Sequence, residues 1–108
     1  MAMSALLPQV KSLLDQLQGE TTEHALKLYH YDGCGFCYLV RREAERLGVQ
    51  LDLVSIFEQP EARKMLMERR GRSTVPVLGV PTAIGEQLLP ESDDIVQFLE
   101  AYVERFSS

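Results

Sequence analysis

Helical and strand-like patterns of apolar residues alternate along the first part of the chain. The spacing of six apolar residues predicts a helix over about residues 4–18, which Gly19 ends. These residues are Leu6, Leu7, Val10, Leu13, Leu14 and Leu17. Residues 26–31 form a short run rich in Leu and Tyr between polar segments, which suits a buried strand. We expect the leucine face of the helix to pack onto the rest of the domain and not to lie on a membrane.

The middle of the chain repeats this alternation. A helical pattern begins at Cys34, has an apolar face and ends at Gly48. The residues of that face are Phe36, Val40, Ala44 and Leu47. Residues 49–55 predict a second strand, Glu58, Gln59 and Pro60 open another helix that ends near Gly71, and residues 75–80 predict a third strand.

The last part of the chain predicts a hairpin and a closing helix. Residues 81–86 have turn composition, and residues 87–89 can return as a short antiparallel strand. Ser92 is a good N-cap, and Asp93 and Asp94 suit the first turn of a helix. Its apolar face comprises Ile95, Phe98, Leu99, Tyr102, Val103 and Phe106. The order of elements predicts an α/β domain with a four-stranded mixed sheet flanked by helices, plus an additional N-terminal helix.

Length and composition fit one soluble domain. The chain has 108 residues, of which 45% are hydrophobic, which is enough for a single modest core with little disorder beyond the last few residues. No apolar run approaches the ~18 residues that cross a bilayer, and the N-terminus lacks the order of a signal peptide. We therefore expect a cytoplasmic protein without a membrane partner.

The charge of the chain is unevenly distributed. Eleven basic against sixteen acidic residues give a net charge of −5, which argues against nucleic acid as a partner. Residues 41–72 carry eight basic and six acidic residues, a balance of +2 that leaves −7 elsewhere. Either this region hosts an anionic ligand, or its charges are ordinary solvated helix faces.

The two cysteines form a CxxC pair where a predicted strand gives way to a helix. Unpaired N–H groups and the positive end of the helix dipole favour a thiolate at Cys34, which makes it the candidate nucleophile. Cys37 lies one turn further on and can resolve a mixed disulfide by intramolecular attack. Two alternatives are inert buried thiols and a zinc site completed by His24 and His30. The spacing of the histidines and the lack of a second CxxC disfavour zinc.

Three motifs in this element order resemble glutaredoxins. They are Cys-Gly-Phe-Cys at 34–37, Thr-Val-Pro at 74–76 and Glu-Ser-Asp-Asp at 91–94. The last motif is also similar to the N-terminal domains of glutathione transferases. The resemblance covers residues 25–108 as a glutaredoxin-like domain and implies a thioredoxin-like fold. Residues 1–24 are then an N-terminal helical extension.

The resemblance also implies a site. It makes Cys34 and Cys37 catalytic, makes Pro76 a cis proline and assigns no residue to a metal. The residues that it implies for glutathione binding are Tyr31, Phe36, Thr74, Val75, Pro76, Glu91, Ser92 and Asp93. The chain departs from the family at Tyr31, where lysine is common, and at Gly35, where proline is common.

The function implied is glutathione-dependent thiol–disulfide exchange on protein disulfides or protein–glutathione mixed disulfides. Glutathione is then the co-substrate, disulfide-containing or glutathionylated proteins are the partners, and the chain is expected to be a monomer. One alternative is a [2Fe–2S] carrier, because Cys-Gly-Phe is also similar to monothiol glutaredoxins, whose last motif position is serine and not Cys37. Another is a transferase-like domain that binds glutathione without catalysis.

Overall fold

A mixed four-stranded sheet forms the centre of the computed structural model, which describes residues 7–17 and 26–106. The elements in chain order are α1 (Pro8–Gln16), β1 (Lys27–His30), α2 (Gly35–Leu47), β2 (Asp52–Ser55), α3 (Pro60–Arg70), β3 (Val77–Thr82), β4 (Gly85–Pro90) and α4 (Ser92–Phe106). The strand order is β2-β1-β3-β4. β1 and β2 are parallel, whereas β3 is antiparallel to β1 and to β4. This architecture confirms the predicted α/β fold.

The boundaries of two predicted elements are wrong. β2 begins at Asp52 and not at residue 49, because the N–H of Val49 donates to Ala44 O at 2.8 Å and still belongs to the end of α2. The hairpin is tighter than predicted. Pro81 pairs with Glu86 inside the ladder, so the turn is confined to residues 83–84.

One face of the sheet packs against α1, α2 and α4. Buried residues of α1 join a single core with the strands and the other two helices; those of α1 are Val10, Leu13 and Leu14. Polar contacts also tie α1 to α4: the N–H of Leu7 donates to Gln97 Oε1, and Gln9 Nε2 donates to Asp94 Oδ2, each at 2.9 Å. The predicted packing of the leucine face is confirmed for Val10, Leu13, Leu14 and Leu17, whereas Leu7 is exposed. Leu6 and the stop at Gly19 lie outside the described residues.

No described helix has the length and apolar character needed to cross a membrane.

The opposite face of the sheet is covered by α3. Its buried residues Ala62 and Leu66 pack on the strands, in a cluster whose other members are Tyr29, Val54, Ile56 and Val77. The two clusters take alternate residues of β1, β3 and β4, as the pleat of a sheet requires. The sheet therefore separates α3 from the helix that begins at the CxxC motif.

The side chain of Glu86 lies across neighbouring strands on the face of the sheet that α3 covers. Glu86 Oε2 accepts a hydrogen bond from the hydroxyl of buried Tyr29 at 2.8 Å. Arg69 donates to the main-chain carbonyl of Glu86 at 2.8 Å, and its Nη1 lies 3.7 Å from Glu86 Oε1. The carboxylate passes over Gly79, where an added Cβ would collide with it and lie 3.1 Å from the Tyr29 ring. The absence of a side chain at position 79 is what lets Glu86 reach Tyr29.

Candidate active site

Cys34 lies where the turn after β1 meets α2. Gly33 precedes it with φ of +91°, a left-handed conformation that favours glycine. Cys34 is the N-cap of α2, and its Sγ accepts the N–H of Cys37 at 3.2 Å. Its side chain is 9% exposed. The sulfur thus receives one of the N–H groups that a helix start leaves without a partner, which favours negative charge on it.

Cys37 lies inside the protein, one turn along α2. It is 1% exposed, and neither cysteine is in a disulfide. Burial, followed by the hydrogen bond to Cys34, raises the pKa of the Cys37 thiol. The two sulfurs therefore have unequal surroundings: Cys34 is buried but 9% exposed at the start of α2, whereas Cys37 is almost fully buried and is held as a neutral thiol.

The prediction that Phe36 lies on the buried apolar face of α2 is wrong. Phe36 is 65% exposed, whereas the core face of α2 carries Cys37, Val40 and Ala44. The reason is that Phe36 lies in the first turn of α2, which borders an open groove instead of the sheet.

That groove has a volume of about 450 Å³, and its lining includes Val75, the residue next to the sulfur of Cys34. Its lining includes seven of the eight residues implied for glutathione binding: Phe36, Thr74, Val75, Pro76, Glu91, Ser92 and Asp93. The Val75–Pro76 peptide bond is cis, as predicted. Cys34 Sγ lies 4.0 Å from the carbonyl oxygen of Val75, so the groove begins at the candidate nucleophile.

Tyr31, the eighth residue, lies elsewhere. It lines a separate hollow of about 330 Å³ together with Cys34, Tyr38 and Arg41. Its ring contacts that of Phe57, with the ring centroids 5.0 Å apart. Cys34 therefore lies between two depressions, which we call the groove (Phe36, Thr74–Pro76, Glu91–Asp93) and the hollow (Tyr31–Gly35, Tyr38, Arg41).

The predicted cap of α4 is shifted by one residue. α4 begins at Ser92, and the carbonyl of Glu91 accepts the N–H of Ile95 at 3.0 Å. Ser92 therefore lies in the first turn and not before it. Glu91 has φ of +75°, a conformation uncommon for a residue with a side chain. The helix start and the carboxylates of Glu91 and Asp93 meet at one end of the groove.

The sequence motifs missed two basic residues of the groove. Arg70 and Arg72 line it, and Arg70 Nη1 donates to Thr74 O at 3.1 Å. The only sequence signal for them was the positive balance of residues 41–72. With arginines and carboxylates in its lining, the groove suits a ligand that carries both kinds of charge.

The histidines provide no metal centre in the part of the chain described. His30 is 5% exposed, and its Nδ1 has no hydrogen-bond partner. Burial, followed by the nearby charge of Arg41, lowers the pKa of His30. Residues 7–17 and 26–106 contain no group of three or more His, Cys, Asp or Glu placed to hold a metal ion. His24, the other histidine weighed for zinc, lies outside the described residues.

Comparisons with known proteins agree with this geometry. The family model for glutaredoxin matches residues 26–82. A trimeric glutathione transferase from Leishmania is 34% identical, with a TM-score of 0.60 over 70% of this chain; the match spans only 17% of the transferase. Wheat glutaredoxin is 17% identical, with a TM-score of 0.60 over 99% of this chain and 94% of its own. No curated protein matches the chain.

A complex of buckwheat glutaredoxin with glutathione is also similar. It is 19% identical, with a TM-score of 0.53 over 92% of this chain and 96% of its own. At this level of identity the likeness shows the fold alone. Together with the family match, it confirms the thioredoxin-like fold.

Proposed function

This chain belongs to the glutaredoxin family, and we propose that it catalyses glutathione-dependent reduction of protein–glutathione mixed disulfides through Cys34. The observation that carries the proposal is the position of the Cys34 sulfur. It accepts the N–H of Cys37 at 3.2 Å and borders the groove at Val75. A thiolate that a short peptide can reach from a neighbouring groove is what thiol–disulfide exchange requires.

The reaction consists of two exchanges at one sulfur. In the first, the thiolate of Cys34 attacks the glutathione sulfur of the mixed disulfide. A bond forms between Cys34 and glutathione, and the protein leaves as a thiolate that takes a proton from water. In the second, a glutathione thiolate attacks the glutathione sulfur on Cys34. Oxidised glutathione leaves, and the thiolate of Cys34 is restored.

The groove can bind glutathione through complementary charge. Glutathione has a carboxylate at each end and one ammonium group. We place the γ-glutamyl end at the start of α4, where N–H groups suit its carboxylate and the acids Glu91 and Asp93 suit its ammonium. Arg70 and Arg72 supply positive charge for the other carboxylate. The backbone of Val75 is then the partner of the cysteinyl residue.

Cys37 provides a second route for resolution. Once its thiol loses a proton, it can attack the Cys34 sulfur, release glutathione and form a Cys34–Cys37 disulfide, which two further glutathione molecules reduce. Because burial raises the pKa of Cys37, its thiolate is scarce at neutral pH. We therefore expect external glutathione to carry most of the turnover on mixed disulfides, whereas protein disulfides require Cys37.

The test is a coupled assay of the reduction of a cysteine–glutathione mixed disulfide by glutathione, with two matched serine variants. Cys34→Ser should abolish activity, because Cys37, the other cysteine of the chain, is only 1% exposed. Cys37→Ser should retain much of the activity while losing the ability to form an intramolecular disulfide. Activity that survives Cys34→Ser would overturn the assignment.

The two alternative functions, a [2Fe–2S] carrier and a transferase-like domain without catalysis, have different structural requirements. A [2Fe–2S] cluster needs four ligands, usually thiolates, whereas one chain supplies only two cysteines, both of them buried. A single chain does not provide that set, so we derive no step through a cluster. A transferase-like domain without catalysis is suggested by the 34% identity to the Leishmania protein. Binding of glutathione without turnover in the coupled assay would favour it.

We also propose that the protein acts in the cytoplasm. A CxxC pair that must cycle through the dithiol suits a reducing compartment. Cell fractionation, with labelling of the two thiols before lysis, would test both the location and the redox state.

A further inference from the structure

We propose that the neighbouring rings of Tyr31 and Phe57 form a docking surface for an apolar side chain next to the reactive cysteine of a protein substrate. This inference rests on the proposed function, since it concerns the protein half of the mixed disulfide. It adds a specificity surface separate from the groove that holds glutathione.

Phe57 is presented to solvent by a fixed turn. Its side chain is 66% exposed. Its N–H and that of Glu58 both donate to Ser55 Oγ at 3.3 Å, and the N–H of Gln59 donates to Ser55 O at 2.9 Å. Three hydrogen bonds to one residue hold the turn after β2 in place. An exposed aromatic ring that is already ordered loses little entropy when a partner covers it.

Tyr31 connects this ring to the reactive cysteine. It is half-buried and packs on the cluster beneath α3, and its ring centroid is 5.0 Å from that of Phe57. Tyr31 and Cys34 line the same hollow, and the carbonyl of Tyr31 accepts the N–H of Cys34 at 3.3 Å. The two rings therefore form a continuous apolar surface that starts beside the nucleophile.

The groove and the hollow contact different parts of the mixed disulfide: glutathione binds in the groove, and the attached protein lies over the hollow. When glutathione occupies the groove, the protein attached to its sulfur cannot enter the same space. It must contact the other surfaces that border Cys34, of which the hollow is one. The residues next to the substrate cysteine then come within reach of Tyr31 and Phe57.

The chemistry of this surface favours an apolar partner. The hollow contains one acidic and one basic residue, Asp32 and Arg41, so it has no net charge with which to select a charged peptide. Aromatic rings are enriched at the centres of protein interfaces, where they provide large rigid contacts. An aromatic or large aliphatic side chain on the substrate would cover the exposed face of Phe57.

The experiment compares two glutathionylated peptides that differ only in the residue next to the modified cysteine, Phe in one and Ser in the other. Wild-type protein should show about fivefold higher kcat/KM for the Phe peptide, as expected for one aromatic contact. Phe57→Ser should reduce that ratio to about one and leave the rate on the cysteine–glutathione disulfide unchanged. The matched control is Ile84→Ser, at a position 79% exposed in the β3–β4 turn. It should keep the wild-type ratio.

Equal kcat/KM for the two peptides with wild-type protein would overturn the inference, although the proposed function would stand. A Phe57→Ser variant that slows all substrates equally would also overturn it, because the ring would then act on glutathione or on the fold. Circular dichroism tests whether Phe57→Ser is folded. A second variant, Phe57→Leu, keeps an apolar side chain and should give an intermediate ratio of kcat/KM for the two peptides. Concentration-dependent dimers that Phe57→Ser abolishes would assign the surface to a second copy instead. Absence of turnover on every substrate would refute the proposed function itself.

Discussion

Replacement of Gly79 by alanine should destabilise the protein by displacing the carboxylate of Glu86, which belongs to the neighbouring strand β4. The new Cβ would occupy the position of the Glu86 carboxylate. Glu86 would then lose its hydrogen bond from Tyr29 and its approach to Arg69. An unmade hydrogen bond at a buried group costs about 1–3 kcal/mol, and a partly exposed ion pair is worth less than about 1 kcal/mol. Alanine restores about 0.5–1 kcal/mol relative to glycine within a strand. We expect a net loss of about 2 kcal/mol.

The same contacts predict strong coupling in a double-mutant cycle. Glu86→Ala alone should cost about 1–3 kcal/mol, because it leaves the hydroxyl of Tyr29 without its acceptor. Once Glu86 is truncated, the two closest contacts of a Cβ at position 79 disappear, and the next is the edge of the Tyr29 ring at 3.1 Å, which can shift slightly. The Gly79→Ala change should then be nearly neutral, so the coupling energy is about 2 kcal/mol.

Urea unfolding at pH 7 of the wild type, both single variants and the double variant measures this coupling. Gly35→Ala is the matched control, since an added Cβ there has no atom within 4 Å, and it should change stability little. If the two substitutions add to within about 0.5 kcal/mol, the reasoning fails, because residues that share one contact should not be independent.

Three further predictions concern stability and reactivity. Leu14→Ala should cost about 3 kcal/mol in urea unfolding, because Leu14 is fully buried between α1 and the core, and it should leave thiol exchange unchanged. The fold lowers the pKa of His30, so protonation of this side chain favours the unfolded state. The free energy of unfolding should therefore fall as the pH drops below the ordinary histidine pKa of about 6.5. His30→Leu should reduce the loss of stability between pH 7.5 and 5.5. Alkylation followed by mass spectrometry should modify Cys34 first, while the rate at Cys37 continues to rise above pH 9 because its pKa is raised. Faster labelling of Cys37 would reverse the assignment of the nucleophile.

Local patterns were sufficient for the order of the elements. The spacing of apolar residues in α4 predicted a face of six residues. Four of them, Ile95, Phe98, Leu99 and Tyr102, are buried, and Val103 and Phe106 are partly buried against the same core. Boundaries were harder, because they depend on bonds between elements or on the last turn of a helix. The turn of the hairpin is an example: its composition suggested six residues, but pairing of Pro81 with Glu86 confines it to two.

The site could be predicted only as far as its motifs extend. Cys34 and the residues near Pro76 and Ser92 are brought together by the fold, and motif resemblance was enough to name them. Arg70 belongs to no motif. It lines the groove because it is the last residue of α3, and its position depends on how α3 packs on the sheet. Tyr31 lies outside the groove, and no motif indicated that its ring would contact Phe57, 26 positions along the chain.

The polar contacts between α1 and α4 have an evolutionary consequence. Gln9 bonds to Asp94, and the N–H of Leu7 bonds to Gln97, so α1 braces the helix whose first turn lines the groove. A substitution at one position of a hydrogen-bonded pair changes which side chains are favourable at the other position. Positions 9 and 94 should therefore covary among homologues that keep α1, and lineages that have lost this helix should be released from the constraint.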